Sequence, residues 1–232
     1  MLNKAKQKML EGRPAVGAEV NLGSTLSVEI IAPLGFDFVL VDNQHGNWVD
    51  QTSMLAFRNI VLGGSVPMAR VRKNDFGLIG RLLDNGSLGI VVPMVNNAEE
   101  AEQAVYATRY PPLGGRSSGA FGVGIHGPGY DEWASEEIFL AVQIETAEGA
   151  RNTKEIMSVE GIDGCWIGPG DLSRYSSMDL TTREGRNLHH KTIEGIISAC
   201  QDAGKIPGIW TGDANGANHW LSHGCLFLTA GA

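Results

Sequence analysis

The chain has 232 residues, 43% hydrophobic and 19% charged, enough for one large core and ordinary for a globular protein. A net charge of −8 with no basic block argues against a nucleic-acid partner and an anionic membrane surface. No apolar stretch approaches the roughly 20 residues of a membrane span.

In chain order, the basic and amphipathic start at residues 1–10 lacks the apolar centre of a secretory signal and reads as a helix capping the fold. Apolar runs and helix-period patterns then alternate. Strand-like runs occupy 15–20, 36–41, 66–71, 89–95, 139–145, 164–168, 206–210 and 225–229. Helical patterns occupy 25–33, 49–62, 76–84, 98–108, 147–157, 187–203 and 215–222. Glycine after a helical pattern, as at Gly35 and Gly224, marks helix ends. Near-continuous apolar strands separated by helices argue for a parallel sheet covered by helices, and eight such units for a closed (β/α)8 TIM barrel forming a single domain over 1–232. Two irregularities stand out. Residues 109–137 form a long Gly- and Pro-rich stretch, expected to be a functional loop or lid. The sequence ends at Ala232, directly after the eighth strand, so the last helix of a complete barrel is expected to be missing and one flank uncovered. Cys165, Cys200 and Cys225 are odd in number and lack metal or redox spacing, which fits buried thiols in a reducing cytoplasm.

The chemistry concentrates at strand ends. Glu145 and Asp171 each follow an apolar run, and acids after consecutive parallel strands share one barrel mouth. Two carboxylates with no Lys or Arg in either motif suit a hard divalent cation that keeps positions open for water and substrate; the plainer alternative is two unrelated surface acids. Asp42 and His45 follow the second strand, where a carboxylate beside an imidazole would orient the ring and raise its basicity; a turn-capping Asp with an exposed His is the alternative. Arg70 stands in an apolar strand and needs an anion, either a substrate oxygen or a neighbouring acid. The turn 168–173, with backbone N–H groups at Gly170 and Asp171, offers an anion site or is an ordinary tight turn. Trp210 ends the seventh strand and is expected to wall the apolar side of the mouth. His126 is expected either in the mouth as a lid residue or exposed, and His189-His190 solvated at a helix start. This set suits a small 2-oxo acid whose enolate is stabilised by a cation and Arg70. No lysine sits in these motifs, which disfavours a Schiff base.

The stretches Phe36-Asp-Phe-Val-Leu-Val-Asp-Asn-Gln-His45, Val92-Pro-Met-Val95, Ala107-Thr-Arg-Tyr-Pro-Pro112, Val142-Gln-Ile-Glu-Thr146 and Gly161 to Ser173 together resemble the HpcH/HpaI family of metal-dependent (class II) pyruvate aldolases, which includes macrophomate synthase. The resemblance implies a (β/α)8 barrel that makes or breaks a C–C bond next to pyruvate. It implies Glu145 and Asp171 as ligands of magnesium, or of manganese or cobalt, and Gln143 near the metal waters. It further implies Arg70 on the keto or enolate oxygen, and His45 supported by Asp42 as acid/base. Gly170 and Asp171 would hold the carboxylate, and Asp84 and Arg116 would lie near loops of a neighbouring subunit in a hexameric homo-oligomer. Gln44, where the family commonly has Glu, and the loop 117–133 depart from its pattern. The activity implied is cleavage of a 4-hydroxy-2-oxo acid to pyruvate and an aldehyde through a metal-stabilised enolate. The alternatives are an oxaloacetate decarboxylase or macrophomate synthase-like enzyme, and a catalytically degenerate barrel with a binding or assembly role.

Overall fold

In a computed structural model, which describes residues 2–232, eight parallel strands close into a barrel in sequence order, β1 to β8. They are β1 (Ala15–Val20), β2 (Phe38–Asp42), β3 (Val66–Arg70), β4 (Gly89–Val92), β5 (Phe139–Ile144), β6 (Gly164–Ile167), β7 (Gly208–Thr211) and β8 (Phe227–Ala230). The helices are α1 (Lys4–Leu10), α2 (Thr25–Ile31), α3 (Asp50–Gly63), α4 (Phe76–Asp84), α5 (Ala98–Thr108), α6 (Tyr130–Glu137), α7 (Ala147–Arg151), α8 (Thr153–Met157), α9 (Pro169–Tyr175), α10 (Arg183–Asp202) and α11 (Ala214–Ser222). The expected (β/α)8 class and its N-terminal helix are thus present. Among the described residues no helix is long and apolar enough to cross a membrane.

Side chains alternate along each strand, so residues two apart share a face. The inward rows begin in an apolar floor, where Phe227 packs against Phe38 and Phe139 at ring separations of 4.8 and 4.9 Å. Gly17 leaves the room that the Phe38 ring fills. Two or four residues further along the same rows stand Glu19, Asp42, Arg70 and Gln143, all buried. The parallel register sets Asp42 directly beside Arg70. The barrel therefore runs from a dry aromatic end to a polar end.

Local chemistry accounts for the helix boundaries. Asp75 and Asn97, both extended, cap α4 and α5 by accepting from the N–H three residues on, at 3.0 and 2.9 Å. Gly35 and Gly224 adopt the expected left-handed conformation, with φ of 92° and 98°. α1 closes the apolar end: Lys6 Nζ donates to the carbonyls of Glu136 and Ile138 at 2.8 and 3.1 Å and pairs with Asp163 at 2.8 Å.

Several expectations change. The seventh strand starts at Gly208 rather than residue 206, because Pro207 cannot donate to the ladder; Ile206 makes only an isolated bridge to Gly164. The fourth ends at Val92, before Pro93. The turn expected at 168–173 is the start of α9, with Pro169 at its first position. Residues 109–137 are not a lid over the mouth. They join α5 to β5, so they lie at the N-terminal ends of the strands, and they contain a 3₁₀ turn (Gly122–His126) and α6. Arg116 organises this segment within its own chain: it is buried, bonds Asp84 at 2.8 Å and the Tyr130 hydroxyl at 3.0 Å, and stacks on Tyr110 at 4.6 Å. His126 donates from Nε2 to the Gly86 carbonyl at 2.8 Å, away from the mouth.

Candidate active site

At the C-terminal ends of the strands lies a cleft of about 470 Å³. Its walls carry Asp42, His45, Arg70, Gln143, Glu145, Gly170, Asp171 and Trp210, so the residues expected to hold the metal and substrate and to carry the reaction border one space, whereas His126, Asp84 and Arg116 lie outside it.

Glu145 follows β5 directly and is 2% exposed. Its Oε2 accepts from Gln143 Nε2 at 2.7 Å and its Oε1 from the Met94 backbone N–H at 2.9 Å. Met94 presents that N–H from a left-handed conformation, φ 58°, which costs a non-glycine residue roughly 1–2 kcal/mol. Burial pushes the Glu145 carboxyl up to about 7, with the nearby Asp171 charge adding to the rise; the Met94 N–H and Arg70 oppose it. Gly168, after β6, is shaped around this group: a Cβ there would lie 2.7 Å from Glu145 Oε2 and 2.8 Å from Gln143 Nε2.

Asp171 sits in the first turn of α9, half-buried, and its nearest cationic group is the exposed Arg174 at 3.9 Å. The first-turn N–H groups of Gly170 and Asp171 have no partner within the helix, and the space beside Gly170 is open.

On the opposite wall, Arg70 grips Asp42 with both arms, Nε to Oδ1 at 2.8 Å and Nη2 to Oδ2 at 2.6 Å. A second acid, Glu19, lies 3.6 Å from Nη2, and the guanidinium covers the Trp166 ring at 5.3 Å. Burial works against the Arg70 charge, but Asp42 and Glu19 outweigh it and the guanidinium is held more firmly than usual. Burial likewise pushes Glu19 up, against the pull of Arg70 and Asn21.

One expected contact is not formed. Asp42 does not orient the His45 imidazole. Its oxygens are taken by Arg70, by Asn21 Nδ2 at 3.1 Å and by the backbone N–H groups of Gln44 and His45 at 3.0 and 3.4 Å. The register that sets Arg70 beside Asp42 is the reason. The His45 side chain is exposed at the cleft and, among the described residues, its ring has no hydrogen-bond partner.

The donor set fits a hard divalent cation. Glu145 and Asp171 face one cleft, a buried carboxyl there holds its proton too tightly without a countercharge, and Gln143 Oε1 beside it is buried with no partner.

The sequence pattern of the HpcH/HpaI aldolase/citrate lyase family matches residues 20–232. The chain belongs to that family. It is 37% identical over 235 residues, all of this chain and 89% of the relative, to the 4-hydroxy-2-oxo-heptane-1,7-dioate aldolase of Shigella sonnei. The crystal structure of an HpcH/HpaI aldolase/citrate lyase family protein from Burkholderia cenocepacia superimposes with a TM-score of 0.89 at 25% identity, covering 98% of this chain and 92% of that one. A Mycobacterium tuberculosis protein solved with magnesium and pyruvate shares the fold, with a TM-score of 0.61 at 15% identity and covering 94% and 84% of the two chains.

Within this aldolase family site, sequence reasoning missed Glu19, Asn21, Met94 and Arg174. Glu19 carried a usable signal: it is an acid inside the apolar run 15–20, the same anomaly that singled out Arg70. Met94 carried none, because its contribution is a backbone N–H.

Proposed function

We propose that this HpcH/HpaI aldolase family member cleaves 4-hydroxy-2-oxo acids to pyruvate and an aldehyde with a divalent metal, magnesium first and manganese or cobalt as alternatives. The enzyme is a carbon–carbon lyase, and the full-length likeness to a 4-hydroxy-2-oxo-heptane-1,7-dioate aldolase supports a substrate of that class. The observation that carries the reading is the pairing, across one cleft, of the oxygen set Glu145, Gln143 and Asp171 with the guanidinium of Arg70.

Glu145 and Asp171 would hold the cation, which when bound polarises the keto oxygen as a Lewis acid. Arg70, fixed by Asp42, presents a rigid positive charge to the oxygen that becomes negative as the C3–C4 bond breaks. Because the fork is already assembled, little reorganisation is needed when charge develops. The N–H groups of Gly170 and Asp171 receive the substrate carboxylate. His45 takes the C4 hydroxyl proton, directly or through water, as the aldehyde forms; the electron pair left on C3 makes the enolate, and a proton returned to C3 gives pyruvate. Trp210 walls the aldehyde end. A homo-oligomer, hexameric by the family pattern, is the assembly proposed, and light scattering tests it.

The test is pyruvate release from 4-hydroxy-2-oxoheptanedioate. Chelator should abolish it, added magnesium or manganese should restore it, and Glu145→Ala should be inert while folded. Full activity of Glu145→Ala refutes the proposal.

A further inference from the structure

A second group of metal-competent side chains lies outside the cleft. α10 and α11 meet locally, through the His190 ring against His219, Trp220 and His223, and bring three histidines together. His190 belongs to α10, His219 to α11, and His223 is the residue that ends α11. Contrary to the sequence expectation, His189 and His190 do not open a helix. Both are half-buried within α10, and His189 Nε2 bonds the Pro169 carbonyl at 2.8 Å.

One ligand atom from each of His190, His219 and His223 falls within 4.8 Å of the other two. His190 Nε2 and His219 Nε2 are 3.1 Å apart. Two nitrogens at about 2.0–2.1 Å from a tetrahedral zinc stand roughly 3.3 Å from each other, so this pair needs little movement to share an ion. Two of the other ring nitrogens have partners behind them. His223 Nδ1 donates to the His219 carbonyl at 2.8 Å. His190 Nδ1 faces Glu194 Oε2 at 3.4 Å. Carbonyl and carboxylate partners behind a ligating imidazole set its tautomer and raise its basicity. Glu194 Oε1 also lies 3.8 Å from His223 Nε2.

The sequence builds this from two four-residue spacings, His190/Glu194 and His219/His223, each placing both members on one helix face. Without an ion the arrangement is poor. Three imidazoles crowd together at ring separations of 4.5 to 5.3 Å with no countercharge at their centre. Converging imidazole nitrogens are the donor set that a borderline metal ion prefers. α11 also has a reason to be clipped: within it only Ala217 is buried.

We propose that His190, His219 and His223, backed by Glu194, form a surface site for a zinc-class divalent ion that clamps α11 to α10. Its nitrogen donors select zinc, or cobalt, nickel or copper, over magnesium, so it is chemically distinct from the oxygen-lined cleft. It does not depend on the aldolase reading.

The experiment is calorimetric titration of the full chain with zinc in saturating magnesium, with cobalt titration followed by the visible absorption of a tetrahedral ion. One equivalent of zinc should bind, persist in Glu145→Ala, and vanish in His219→Gln/His223→Gln. Glu194→Gln should weaken it by about 10–100-fold. Nitrogen-15 imidazole spectra of the unaltered protein give a reading free of any folding defect in the variants: zinc should shift the ring signals of these three histidines. Unchanged zinc binding in the double variant, loss of it in Glu145→Ala, or three unmoved ring signals would each overturn the proposal.

Discussion

Replacing Asp42 by Asn removes one carboxylate from a guanidinium that lies between two. Arg70 is 7% exposed and Asp42 fully buried, and breaking a buried ion pair by removing one partner costs about 3–5 kcal/mol. Here Glu19 remains 3.6 Å away and Asn keeps one acceptor, so the low end, about 3 kcal/mol, is expected. For a chain of this size that lowers Tm by roughly 6–12 °C. Glu19→Gln removes the other acid and should behave in the opposite sense. Burial pushes the Glu19 carboxyl up despite Arg70, and its Oε2 is buried without a partner, so its ionised form is a burden on the folded state. The sign follows: a raised folded pKa favours folding below the unfolded value of about 4.3, and that contribution is lost as pH rises through the folded value. Glu19→Gln, which does not titrate, should therefore change stability by less than about 1 kcal/mol at about pH 5 and compare more favourably at about pH 8. Asp42→Asn should cost more in the Glu19→Gln background, where Arg70 keeps no carboxylate. Urea unfolding of the four proteins of this cycle measures all of it. If Glu19→Gln costs more than Asp42→Asn, or Asp42→Asn stays within about 0.5 kcal/mol of the parent, the assignment of Asp42 as the principal partner of Arg70 is wrong.

Gly168→Ala should displace the Glu145 carboxylate and weaken magnesium binding at least about tenfold with little loss of fold, since its Cβ meets side-chain atoms of Glu145 and Gln143; calorimetry with unchanged affinity would count against the cation pocket. Burial lowers the His126 pKa, so below about pH 6.5 the unfolded chain binds a proton there that the folded chain refuses. Stability should then fall with acidification by at most about 1.4 kcal/mol per pH unit from this group, and His126→Gln should flatten that slope; an unaltered pH profile would contradict it. Trp210→Ala should change the preference among aldehydes while leaving proton exchange into pyruvate intact, and equal losses in both assays would remove Trp210 from the aldehyde wall.

Most of the barrel was legible because it depends on periodicity. Buried parallel strands announce themselves as continuous apolar runs, and α4 and α5 carry both a polar cap and a period, so their ends coincide with the sequence reading. What was hidden depends on partners remote in sequence. That Asp42 serves Arg70 rather than His45 follows from strand register, which neither strand encodes alone. The position of residues 109–137 at the far end of the barrel was recoverable, since a segment between helix and strand lies opposite the strand–helix loops; their length and glycine content drew attention instead. The helix that ends that segment, α6, was masked by glycine and proline just before it. His190 looked ordinary because its companions lie almost thirty residues away on another helix.

The direct pairing of Asp42 with Arg70 across two neighbouring strands has a consequence for how the enzyme fails. A slip of one residue between β2 and β3 would put Ala69 or Val71 beside Asp42 and turn Arg70 toward the helices. The charged fork therefore has no half-assembled form: it exists only when the ladder between these strands is in register. Catalytic competence should then track the closing of the cylinder as a single cooperative event, and a partly unfolded population should contribute no slow or promiscuous enzyme, only silence.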